Sequence, residues 1–177
     1  MTPPAPQRAQ RVRGIEGVGL RTPDGREWVR DDDGRYYPVN PGICDDCLGS
    51  GFDGDGDTCR CMLSVITVRF CGRPSKWGNP FGVVRTPNGF GNNWGVRKGA
   101  RGNWRCTHVD HAVAVALAVR LFAERIVAKQ PDAYFDGLTG YDFLSCFCPL
   151  DQPCHVDPII AEGVARGTWT PNGHHEP

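Results

Sequence analysis

The sequence holds nine cysteines, and eight of its side chains with ligand chemistry fall into two short groups. The first group is CDDCLGSGFDGDGDTCRC, which reads Cys44-x2-Cys47 and, after eleven intervening residues, Cys59-x-Cys61. Thiolates in two tight pairs suit tetrahedral zinc, and the Gly-rich spacer lets each pair turn both sulfurs toward one point. Cys44, Cys47, Cys59 and Cys61 are therefore expected to bind one zinc; the alternative is four free thiols. Four cysteines leave no open coordination position, so this zinc would be structural. The second group is CFCPLDQPCH, with Cys146, Cys148, Cys154 and His155. Cys146 and Cys148 leave the same face of a strand, while Cys154 and His155 sit just before a helix start. Three readings stand side by side: a second metal site, a Cys154 thiolate stabilised by the helix N-terminus, or ordinary buried cysteines.

A third stretch, GRPSKWGNPF at residues 72–81, combines residues that prevent regular backbone with residues that bind ligands. Arg73 and Lys76 suit phosphate or carboxylate, Ser75 adds a hydroxyl, and Trp77 could stack on a ring or seal a pocket. Asn79 offers a donor and acceptor edge. A plainer reading has Trp77 and Pro80 plugging the sheet and Arg73 paired with an acid such as Asp151.

These residues need elements to hold them. MLSVITVRF (62–70) and YDFLSCFC (141–148) are strand-length apolar runs. Between them, turn signals at Pro87-Asn88-Gly89 and Lys98-Gly99 imply a hairpin carrying Trp94 and Trp104. Thr107-x-x-Asp110 precedes an Ala-rich helical run at 111–130, and Pro131 stops it. Asp157 and Pro158 mark a second helix, as N-cap and first helical residue. The predicted fold is α/β: a small, mostly parallel sheet with flanking helices, plus an N-terminal β-meander and zinc knuckle. The expected division is a disordered tail at 1–14, the meander and knuckle at 15–62, an α/β core at 63–168 and a flexible tail at 169–177. If the strands ending at Phe70 and Cys148 are parallel neighbours, the loops after them share one sheet edge. Arg73, Lys76 and Asn79 would then face Cys148, Cys154 and His155 across one pocket.

Net charge is formally zero, but the charges are unevenly placed. From Thr58 to Val109 there is no acid, against nine cations including Arg85, Arg97, Lys98, Arg101 and Arg105, with Trp77, Trp94 and Trp104 among them. That pattern suits a polyanion whose bases stack on indoles; solvated hairpins whose acids lie elsewhere are the plainer alternative. No apolar run is long enough for a membrane span, and MTPPAPQRAQRVRG lacks the apolar segment of a secretory signal, so a cytoplasmic protein with no membrane partner is expected.

The Cys44–Cys61 spacing resembles the zinc knuckles of chaperone cysteine-rich domains and bacterial helicase loaders, which implies zinc but no activity. GRPSKWGNPF, together with a strand ending Cys-x-Cys and a Pro-Cys-His before a helix, resembles domain of unknown function 4326, a family of actinobacteria and their phages. This resemblance covers about residues 65–166. It implies a compact α/β domain and a shared site at Gly72, Arg73, Ser75, Lys76, Trp77, Gly78, Asn79 and Pro80 with Cys146, Cys148, Cys154 and His155. A phage or actinobacterial origin would put the protein in the bacterial or host cytoplasm. The expected function is a zinc-containing enzyme acting on a nucleotide or on a base in DNA, such as phage purine or deazapurine hypermodification. Cys154, His155 and Asn79 would be catalytic, and Arg73, Ser75, Lys76 and Trp77 would bind substrate. The alternative is a non-catalytic zinc-stabilised module that binds nucleic acid or a host protein.

Overall fold

A computed structural model describes residues 2–14, 17–30, 35–39, 66–86, 93–99 and 101–170. Cys44, Cys47, Cys59 and Cys61 lie outside the described residues. In QRAQRVRG, Ala9 and Arg11 alternate with Arg8 and Gln10, and this period of two is realised as β1 (Gln7–Gly14). β1 opens an antiparallel meander with β2 (Gly17–Arg21), β3 (Glu27–Arg30) and β4 (Tyr36–Pro38). The turn between β2 and β3 uses Gly25 at φ 83°, a left-handed conformation that glycine adopts without strain.

On its other edge β1 pairs in parallel with β9 (Phe143–Cys146), and β9 pairs in parallel with β5 (Val68–Phe70). The order is β4-β3-β2-β1-β9-β5. An antiparallel bridge from Tyr36 to Ile66 joins the β4 edge to the chain entering β5, so the sheet curls. Ala9, Leu20, Trp28 and Tyr36 fill the inside of the curl with Ile66, Val68 and Phe143.

The second sheet is antiparallel: β6 (Phe81–Arg85), β7 (Trp94–Lys98) and β8 (Trp104–Val109). Helix α1 (His111–Arg125) packs on β6 and β7. Its buried face is Ala114, Ala118, Leu121 and Phe122, a row in which two alanines allow close approach. Val113, one turn before Leu117 on the same helical row, is 52% exposed. A 3-10 turn at Val127–Lys129 and the short α2 (Asp132–Asp136) follow, then β9 and α3 (Val156–Ala165). The main core gathers Trp77, Phe122, Phe135, Leu144, Ile159 and Trp169. Among the described residues, no helix is long and apolar enough to cross a membrane.

The architecture corrects the expected α/β fold with a mostly parallel sheet and flanking helices. It is mostly β: a six-stranded mixed curled sheet, a three-stranded antiparallel sheet and three short helices. Only the β1–β9 and β9–β5 pairs are parallel in the described sheets. Two physical causes account for the difference. The middle of the chain closes its hairpins locally instead of crossing over to extend the parallel sheet, and the N-terminal segment inserts beside β9. That segment was expected to be disordered because it is rich in Pro and Arg, yet Ala9 is fully buried within it. The expected flexible tail at 169–177 likewise begins with Trp169, which is 1% exposed, and Thr170, whose backbone bonds to Pro3 and Ala5.

Candidate metal centre

Three local structures deliver the second Cys/His group to one point. Cys146 ends β9 on the face that carries Leu144 into the main core, Cys148 follows two residues later, and Cys154 and His155 immediately precede α3. The ligand atoms of Cys146, Cys148, Cys154 and His155 all lie within 4.8 Å of one another. The Cys146 and Cys154 sulfurs are 3.0 Å apart, and His155 Nδ1 lies 3.7 Å from the Cys148 sulfur and 3.9 Å from that of Cys154. Backbone N–H groups donate to two of the sulfurs, Cys148 to Cys146 at 3.3 Å and Val156 to Cys154 at 3.4 Å. Cys146 and Cys154 are buried and His155 is 8% exposed, while Cys148 is half-buried.

The imidazole is oriented from behind. His155 Nε2 sits 2.9 Å from the carbonyl oxygen of Cys71, so an Nε2–H donates there and Nδ1 is the ring nitrogen that faces the sulfurs. The ring also packs edge-on against Phe122, with centroids 5.9 Å apart. The Cys71 thiol takes no part; burial pushes it up to about 12.

Charge explains why this group suits a cation. With protons alone, the Cys146 thiol is pushed up to about 12, chiefly by its hydrogen bond with Cys148, and Cys154 is pushed up by its bond with Cys146. Cys148 is held well below the ordinary thiol range because the Cys146 and Cys154 thiols both donate to it. In this cluster Cys148 is thus the sulfur favoured to ionise, while Cys146 and Cys154 are disfavoured. A divalent cation lets all three ionise, and three thiolates with a neutral imidazole match the tetrahedral Cys3His set of zinc.

Arg8, which the N-terminal composition concealed, braces the loop between the ligands. Its Nη1 donates to both carboxylate oxygens of Asp157 at 3.0 and 2.8 Å, and its Nη2 donates to the Pro149 and Leu150 carbonyls at 2.8 and 2.5 Å. Asp157 Oδ2 in turn accepts the Cys154 N–H at 2.9 Å. Asp157 thus sits in the first turn of α3 instead of at its N-cap, which is His155. Burial opposes the Arg8 charge, but Asp157 together with the Cys154 and Cys146 sulfurs more than offsets it. Arg8→Ala should lower stability by roughly 1–3 kcal/mol, since two carbonyls and a carboxylate lose their shared donor. A urea titration checks this, and an unshifted midpoint would mean that the ligands hold the loop without Arg8. The only sequence signal for Arg8 was the alternation around Ala9.

The loop at residues 72–81 distributes its side chains over several surroundings. Arg73 lines a cleft of about 540 Å³ with Asn79, Phe81, Val119, Cys148 and His155. Its guanidinium lies against Gly82 and has no acid partner among the described residues, so the pairing with Asp151 is not formed. Gly78 is required by a close approach, since a Cβ there would stand 2.9 Å from the Arg73 nitrogen. Asn79 is engaged at both ends: its Nδ2 donates to the Ala118 carbonyl at 3.1 Å and its Oδ1 accepts the Phe81 N–H at 2.8 Å. Trp77 is 3% exposed, with Nε1 donating to the Tyr134 carbonyl at 3.4 Å. The Lys76 ammonium rests 4.5 Å above the Trp77 ring, away from the cleft lining. Ser75 and Trp77 line a different cavity. The cleft thus unites Arg73 and Asn79 with Cys146, Cys148 and His155, but not with Lys76, Ser75, Trp77 or the buried Cys154.

The basic segment forms much of the antiparallel sheet. Arg85 lies 5.3 Å over the Trp94 ring and Arg97 5.5 Å over Trp104, so these indoles already carry guanidinium groups. Lys98, Arg101 and Arg105 are exposed.

A family model described as domain of unknown function (DUF4326) matches residues 64–165, more than half of the chain. No curated protein matches, and no solved structure matches.

Proposed function

The chain belongs to the DUF4326 family, whose matched span carries both the loop at 72–81 and all four Cys/His ligands, and from that premise we propose that it is a zinc-stabilised domain binding an anionic, ring-bearing ligand of nucleotide type in the cleft beside the metal centre. The observation that carries this reading is Arg73, a guanidinium without an acid partner among the described residues, at a cleft with one apolar wall and with Asn79, Cys148 and His155 on its lining. Phe81, Val83, Val115 and Val119 offer a surface to a flat ring, and Arg73 offers a planar fork to a phosphate. Zinc on Cys146, Cys148, Cys154 and His155 would tie the end of β9 to the start of α3 and fix the cleft floor. Its four protein ligands give it a structural role.

Arg73→Gln should weaken binding of adenosine monophosphate about tenfold in isothermal titration, a loss typical of one charge-assisted hydrogen-bond pair. Metal content and melting temperature should stay unchanged, because Arg73 is exposed and holds no structural partner. Equal affinity in the two proteins would remove the cleft from the reading.

One observation favours a catalytic variant, in which the protein acts on a nucleotide or on a base in DNA. Cys148 is the least buried sulfur of the centre and lines the cleft, so it is the ligand whose release would open a coordination position toward a substrate. In the cobalt-substituted protein, adenosine monophosphate would then change the ligand-field spectrum; an unchanged spectrum with retained binding leaves the non-catalytic reading.

A further inference from the structure

A second cavity, of about 200 Å³, shares no lining residue with the cleft. It is lined by Arg11 of β1, by the three residues of β5, and by Arg30, Tyr36, Ser75 and Trp77. At roughly 30 Å³ per water, it has room for several waters or one small oxyanion. No carboxylate lines it among the described residues.

Two of its lining residues carry buried polar atoms with no hydrogen-bond partner, Arg11 Nε and Ser75 Oγ. A buried donor left unpaired is unfavourable unless a ligand or water completes it. Two of the guanidinium groups are meanwhile held by a ring and a tyrosine hydroxyl each. Arg11 lies 4.4 Å over the Phe70 ring, with its Nη2 donating to Tyr36 Oη at 3.2 Å. Arg69 lies 4.4 Å over the Trp77 ring, with its Nη1 donating to Tyr141 Oη at 3.4 Å. Neither Arg11 nor Arg69 forms an ion pair among the described residues. Arg30, which has an interaction of its own, adds positive charge to the rim.

We propose that this cavity is a phosphate-binding site, in which Arg11, Arg69 and Ser75 hold a tetrahedral phosphate group separately from the cleft at the metal centre. The donors come from β1, from β5 and from the loop at 72–81, and so approach from different directions. A tetrahedral acceptor can engage donors spread in this way, whereas a planar carboxylate presents both oxygens along one edge. Phosphate also carries only acceptors at its ionised oxygens, which is what an unpaired N–H and a free hydroxyl require.

The test is titration calorimetry at low ionic strength, with Trp fluorescence as a second readout because Trp77 lines the cavity. Inorganic phosphate and phenyl phosphate are titrated in turn into the full chain and into its Arg73→Gln variant. Saturable binding of at least one probe is expected in both proteins, since Arg73 belongs to the other cleft. Binding of inorganic phosphate alone identifies the free ion as the occupant, and binding of phenyl phosphate admits a monoester. Arg11→Gln should weaken binding about tenfold or more, and Ser75→Ala about three- to tenfold, as expected for losing a charged and a neutral donor to an ion. If Arg11→Gln fails to fold, Ser75→Ala decides. The proposal is overturned by absence of saturable binding, by acetate binding as tightly as phosphate, or by binding lost in Arg73→Gln but kept in Ser75→Ala. A failure here with adenosine monophosphate still bound through Arg73 would leave the cleft reading standing.

Discussion

Cys154→Ser is expected to release about one equivalent of metal per chain and to lower folding stability by at least about 4–5 kcal/mol, the range in which loss of a metal site belongs. Cys154 is fully buried, lies 3.0 Å from the Cys146 sulfur, and anchors the start of α3 through the Val156 N–H. A serine oxygen cannot replace a thiolate in this set, and the remaining sulfurs would lose the cation that lets them ionise together. Most domains have only about 5–15 kcal/mol in total, so the variant should be largely unfolded or should melt far below the parent. Elemental analysis supplies the metal count and calorimetry the melting point. The readout is the difference between the two proteins, because the Cys44, Cys47, Cys59 and Cys61 group is expected to hold its own equivalent. Equal metal in both proteins would show that Cys146, Cys148, Cys154 and His155 hold none.

Trp77→Ala should cost about 3–5 kcal/mol in a urea titration, as expected for truncating a large aromatic in a packed core. The indole is 3% exposed, its ring centroid is 6.3 Å from that of Tyr134, and its Nε1 reaches the Tyr134 carbonyl. The Arg69 guanidinium and Lys76 ammonium lie over its ring at 4.4 and 4.5 Å, so truncation also removes two cation–π contacts. A stacking residue in an open site would behave in the opposite way, losing ligand affinity with little change in stability. A loss below about 1 kcal/mol, the scale of an ordinary surface change, would return Trp77 to that role.

The contrast between Trp77 and Arg73 shows where local reading stops. The motif marked both as ligand-binding, yet the fold buries one and leaves the other without an acid at a cleft. A loop has no period, so nothing in its spacing says which wall each side chain meets. Asn79 gives the same lesson: its amide serves the Ala118 carbonyl and the Phe81 N–H, partners supplied by α1 and by the turn into β6.

By itself the sequence determined what depends on near neighbours. Cys146-x-Cys148 on a strand and Pro153-Cys154-His155 before a helix present sulfurs and a ring from short, stiff segments, and these four residues do converge. The apolar runs ending at Phe70 and at Cys148 contain the parallel pair β5 and β9, and the Ala-rich stretch after Asp110 contains α1. Tertiary structure alone decided what depends on distant partners. Residues 7–14 become an interior strand only because β2 and β9 supply hydrogen bonds on both sides, which outweighs their weak apolar content and turns an expected α/β sheet into a mixed, curled one. The same pairing carries Arg8 to the metal loop and Arg11 to a cavity that also receives Ser75, across sequence separations that no periodic pattern spans.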